Sequence, residues 1–78
     1  MNRRLQQVFV RVFRVDSVEL ESSPDTTEGW DSLAHLALVT ELEREFHVQF
    51  TPDEVLSMLS VRIISDMLES HGAFADEE

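Results

Sequence analysis

The sequence predicts an all-α domain: a small antiparallel four-helix bundle of three main helices and a short third one, with a long loop between helices 1 and 2. Three observations predict it. Apolar residues recur at helical spacing in separate segments, beginning with Leu5, Val8, Phe9, Val12 and Phe13. Two dense helix-start signals, Asp31-Ser32 and Thr51-Pro52-Asp53-Glu54, each stand before an apolar run. At 78 residues without a cysteine, the chain has room for one core that only well-packed amphipathic helices can stabilise.

Helix 1 is expected over residues 3–14, with Asn2 as N-cap and Arg3, Arg4, Gln6, Gln7, Arg11 and Arg14 on the polar side. Its β-branched valines lower helix propensity, so packing must support it. Residues 15–31 keep no helical period. Val15, Val18 and Leu20 are either a short extended segment or loop residues that plug the core. Ser22-Ser23-Pro24-Asp25-Thr26-Thr27 is turn chemistry, and Pro24 disfavours helix at Ser23. Trp30, the only tryptophan, reads first as a loop residue closing the core.

Asp31 or Ser32 caps helix 2, expected over residues 32–46 with Leu36, Val39, Leu42 and Phe46 as its buried seam and Leu38 on the flank. Glu41, Glu43, Arg44 and Glu45 are expected to point mostly outward. Thr51 caps helix 3, expected over residues 52–58, with Pro52 at the first helical position and Glu54 completing a capping box. Ser60 caps helix 4, where Val61, Ile64, Met67 and Leu68 are spaced for a core with Ile63 beside them. Gly72 stops it. The domain is thus expected over 1–72, with 73–78 as a frayed acidic tail.

The net charge of −10 argues against nucleic acid, which needs clustered Lys and Arg. The charge is uneven. Residues 1–14 hold four arginines and no acid (+4); residues 15–78 hold sixteen acids and two arginines (−14). Partners docking on the later part are expected to present basic surfaces, with association weakened by salt. No stretch approaches membrane-spanning length and no signal peptide is evident, so a soluble, cytoplasmic monomer is expected. His35, His47 and His71 have no metal-ligand spacing, and no metal is expected.

Ser32 is the residue that carries function. It stands at the mouth of a helix after a glycine-bearing loop, where the dipole and free N–H groups favour an anion. His35 lies one turn away, and with Asp31 it invites a hydrolase reading. That reading is rejected: a triad needs an imidazole bonded to both hydroxyl and acid in a pocket with an oxyanion hole. His35 is expected instead to pack under the loop, bonding backbone or lying near whatever anion this helix start holds.

Gly29-Trp30-Asp31-Ser32-Leu33 at a helix start resembles the attachment motif of acyl carrier proteins and peptidyl carrier domains. The resemblance covers nearly the whole chain: Val15-Asp16…Leu20, Asp25-Thr26, Leu42-Glu43-Arg44-Glu45-Phe46, Thr51-Pro52-Asp53-Glu54 and Ser60-Val61 sit where that family has them. It implies a non-catalytic carrier with 4′-phosphopantetheine on Ser32, holding an acyl or aminoacyl group as a thioester. The implied partners are a phosphopantetheinyl transferase, an acyl- or aminoacyl-activating ligase or acyltransferase, and downstream biosynthetic enzymes. Trp30, Asp31, Leu33, Ala37, Glu41 and Arg44 are the candidate partner contacts, and Leu36, Val39 and Ile63 the candidate acyl-pocket residues. Two features depart from fatty-acid carriers. Ala34 and Ala37 stand where those carry acids, and Trp30 looks more like stand-alone carriers of specialised pathways, of polyketide or nonribosomal-peptide type. A carrier-fold interaction module without the arm, or a fatty-acid-synthesis carrier, are the alternatives.

Overall fold

The structure, a computed structural model, describes residues 1–75. Among them helix is the only regular structure: α1 (Arg3–Phe13), α2 (Ser32–Phe46), α3 (Pro52–Leu56) and α4 (Val61–Ser70) form a small helical bundle. Asn2 opens α1, its side-chain oxygen accepting the Leu5 N–H at 3.1 Å. Arg14, expected inside the helix, closes it instead in the left-handed conformation at φ 57°. α2 runs over the expected residues and ends the same way at His47. The full capping box is present on α3, but this helix stops before the expected Met58. The Ser57 N–H turns to both the Asp53 and Glu54 carbonyls, and Met58 dives into the core.

Leu5, Val8 and Phe9 of α1 meet Leu38 and Leu42 of α2 and Val61, Ile64 and Leu68 of α4 in one buried cluster. One seam is corrected. Leu38 is buried and Leu36 is not. At about 100° per residue, the buried face of α2 centres between Leu42 and Phe46, with Leu38 and Val39 on its two sides and Leu36 about a quarter-turn away.

The loop from residue 15 to 31 is held rather than slack. Val18 plugs the core, with Val15 and Leu20 packed against it, so these are loop plugs and not a strand. Gln6, expected on the polar side of α1, clamps Val18 with both ends of its amide: Oε1 accepts the Val18 N–H at 2.6 Å and Nε2 donates to the Val18 carbonyl at 3.1 Å. The loop also satisfies the start of α4. The Val61 and Arg62 N–H groups donate to the Ser22 and Leu20 carbonyls, both at 2.9 Å, while Ser60 caps Ile63. The Arg62 guanidinium adds an ion pair to Glu21 at 2.8 Å, which holds the Glu21 carboxyl below its ordinary range.

The expected tail is corrected in part. Ala73 donates its N–H to the Leu68 carbonyl, and Phe74 lies edge-on to Phe46 at 5.6 Å, so an aromatic contact carries packing past Gly72. Residues 76–78 lie outside the described residues.

α3 fully buries none of its own residues, Val55 packing only partly against the core, so polar contacts help to hold it. Glu54 accepts the Thr51 N–H at 2.9 Å and meets His71 Nε2 at 2.9 Å, and these two contacts, the first larger, hold its carboxyl below its ordinary value of 4.5. A depressed folded value means the contribution is complete above the unfolded value and fades as pH falls through the folded one. Glu54→Gln is therefore expected to lower the urea midpoint at pH 7, the gap to the unaltered protein closing as pH is taken below 4.5. A gap that stays constant over that range would contradict this.

Candidate functional site

The corner at Ser32 is set by its two predecessors. Trp30 turns inward, only 5 % exposed, stacked on Phe13 at 5.1 Å between ring centres and tilted on Phe9 at 5.7 Å. Its ring belongs to the core. Asp31 is extended (φ −104°, ψ −172°), and its Oδ1 accepts the Ala34 N–H at 2.9 Å, so Asp31 and not Ser32 caps α2. Ser32 is then the first helical residue. It is exposed, and its hydroxyl has no partner among the described residues.

His35 is bonded at both ring nitrogens. The Trp30 indole N–H, which can only donate, gives its hydrogen to Nδ1 at 2.9 Å. The proton of the neutral ring therefore sits on Nε2, which donates to the Val55 carbonyl at 3.0 Å. The imidazole also lies nearly parallel to the indole, 18° between planes. No nitrogen remains for the Ser32 hydroxyl or for a phosphate. With Asp31 engaged as a cap, the three side chains cannot act as a triad.

Beside Ser32 opens a cleft of about 460 Å³. Pro24 and Trp30 of the loop, Asp31, Ser32, His35 and Leu36 around the start of α2, and Val55, Leu56, Met58 and Leu59 of α3 and the turn after it line the cleft. Of the three residues expected around an acyl chain, Leu36 lines this cleft. Val39 and Ile63 do not: Val39 is in the core and Ile63 on the surface. Leu56, Met58 and Leu59 line the cleft as well, and no periodicity signals them because they sit on a short helix and its turn. Leu33, Leu36, Leu56 and Leu59 are 81 %, 59 %, 78 % and 62 % exposed, an apolar rim around the serine.

The acids of α2 are engaged from within. Glu41 pairs with Arg11 at 3.5 Å and Arg44 at 3.4 Å, and Glu45 with Arg4 at 3.0 Å and Arg11 at 3.8 Å. Glu43 accepts the Phe50 N–H at 2.9 Å. These three residues are half-buried, not the outward carboxylates expected. Ala37 and Arg44 are exposed, Arg44 with its one pair to Glu41. Among the described residues no cluster of His, Cys, Asp or Glu is placed to hold a metal, and no helix is long and apolar enough to cross a membrane.

A family model for the phosphopantetheine attachment site matches residues 3–68. The chain belongs to that family. No curated protein sequence matches it. It is a carrier protein with a 4′-phosphopantetheine arm, and carriers of this family are not enzymes. The Ser32 corner fits such a group: a free hydroxyl, the helix N-terminus behind it, and first-turn N–H groups of Ser32 and Leu33 with no partner among the described residues.

The cap is separable from the attachment chemistry. Asp31→Ala is expected to lower unfolding free energy in urea by about 1 kcal/mol, and Asp31→Asn, which keeps an acceptor, by less. Equal losses in the two variants would show that the capping oxygen is not what Asp31 contributes.

Proposed function

We propose that Ser32 is the attachment residue and that the chain is a discrete acyl or aminoacyl carrier of a specialised biosynthetic pathway, of polyketide or nonribosomal-peptide type. The observation that carries the first part is the Ser32 hydroxyl, exposed and unbonded among the described residues on the first turn of an Asp31-capped helix. Loading joins the serine oxygen to the pantetheine-side phosphorus of coenzyme A. The anhydride bond breaks, adenosine 3′,5′-bisphosphate leaves, and the hydroxyl proton passes to a base on the transferase.

This chain's own residues do three things in that reading. Asp31 fixes the helix start, Trp30 anchors the loop so that the next two residues face solvent, and the N-terminal amides of α2 stabilise the phosphodiester charge. When bound, the arm supplies a terminal thiol that holds the carried group as a thioester, and tethering raises the local concentration of that group at each partner. The partners in this reading are a phosphopantetheinyl transferase, a ligase or acyltransferase that loads the thiol, and downstream enzymes, all in the cytoplasm. Leu33, Ala37 and Arg44 are the exposed candidates to meet them. Ala34 and Ala37, with Glu41 and Glu45 held by arginines, support a pathway other than fatty-acid synthesis.

Incubation with a phosphopantetheinyl transferase and coenzyme A is expected to add one phosphopantetheine by intact mass, and none to Ser32→Ala. Addition that persists in the variant, or no addition to either protein, would sink the assignment. Full pathway function from Ser32→Ala would favour an interaction module without an arm.

A further inference from the structure

One half-buried polar side chain beside the Ser32 corner takes no direct part in the attachment chemistry. His35 sits between the loop, α2 and α3, and it is the only residue of α2 whose side chain is bonded to both the loop and α3 among the described residues. α3 has little else to fix it. It spans five residues and fully buries none of them, with Val55 packed partly against the core. Its remaining side-chain hydrogen bonds among the described residues are the Thr51–Glu54 box and the His71–Glu54 contact at its N-terminal end, and the Ser57 hydroxyl bonded to the Asp53 carbonyl just past its last residue. The Val55 carbonyl, near the other end, is held to α2 by His35 Nε2. Trp30, His35 and Val55 also line the cleft that Ser32 borders.

Resting on the reading of Ser32 as the attachment residue, we infer that His35 is a positioning residue for its modification: through the Trp30 indole and the Val55 carbonyl it holds the loop and α3 in the arrangement that the transferase meets. The ring nitrogens suit the task because one accepts and the other donates in a single rigid plane. Without the bridge, the loop corner and α3 would still be attached by chain and core. They would have to be ordered during binding, however, and ordering costs association free energy rather than chemical rate.

The test compares His35→Leu, which keeps apolar volume, with His35→Gln, whose amide offers an acceptor and a donor on one planar group. The apo proteins are substrates for a phosphopantetheinyl transferase with coenzyme A, and folding is checked by circular dichroism. For His35→Leu the KM for the carrier is expected to rise about tenfold with kcat within about twofold, and His35→Gln to recover most of the loss. A purely structural role would lower the unfolding midpoint and move neither constant while the protein stays folded. In the unaltered protein the His35 ring nitrogens are expected to show the Nε2–H tautomer by NMR.

An unaltered KM in folded His35→Leu, or equal behaviour of the Leu and Gln variants, overturns the inference and leaves Ser32 untouched. An Nδ1–H tautomer overturns it as well. Should His35→Leu not fold, Trp30→Phe keeps an aromatic ring for the stack and removes the donor. A rise in KM there supports the inference and a normal KM overturns it. No modification of the unaltered protein overturns both readings together.

Discussion

The burial of one indole governs the rest of the site. Trp30 fills the space against Phe9 and Phe13, and such a ring costs about 3–5 kcal/mol to truncate. Because the ring must face inward, the chain reaches Asp31 in an extended conformation that aims its carboxylate at the Ala34 N–H. The next residue then leaves the core side altogether. The exposure of Ser32 is thus a consequence of where the tryptophan goes, two residues earlier. The same ring supplies the N–H that fixes the tautomer of His35, so the core, the loop and α3 share one polar joint.

The long loop and α4 solve each other's problems. A helix start has N–H groups with no partner inside the helix, and a loop crossing the surface of a bundle has carbonyls to place. Here the Ser22 and Leu20 carbonyls take the Val61 and Arg62 N–H groups, and the Gln6 amide takes both backbone groups of Val18. A connection of this length would otherwise lower stability through its entropy. Pinned at Val18, at Leu20–Ser22 and at Trp30, it delivers the Asp31–Ser32 corner to one place.

Helix positions were legible because capping and apolar spacing are local properties. Asn2, Asp31, Thr51 and Ser60 each cap in the structure as their side-chain chemistry directs. The Ser32 corner was legible for the same reason. What needed the structure was everything set by two distant segments meeting. Gln6 looks like any polar residue of α1 until Val18 arrives opposite it. Leu36 and Leu38 both fit an apolar stripe, and only the placement of α1 and α4 decides that Leu38 is covered. His35 is ambiguous in sequence because its partners, an indole and a carbonyl, belong to other segments. Phe74 likewise reads as tail until Phe46 is beside it.

The uneven charge of the sequence has a partly internal use. Arg4 and Arg11 of α1 meet Glu41 and Glu45 of α2, so two of the four arginines of the +4 start serve to join two helices. A basic surface approaching Glu41 must displace Arg11 and Arg44, exchanging one exposed ion pair for another, and exposed pairs are each worth only about 0–1 kcal/mol. Apolar area has no such competitor. The side chains of Leu33, Leu36, Leu56 and Leu59 stand in water beside Ser32, and covering them gains about 25 cal/mol per Å². On the proposed reading of Ser32 as the attachment residue, the net negative charge of −10 would act at long range on the approach of a basic partner, while close contact around the cleft would be dominated by leucine. Salt should therefore slow encounter more than it weakens the docked complex.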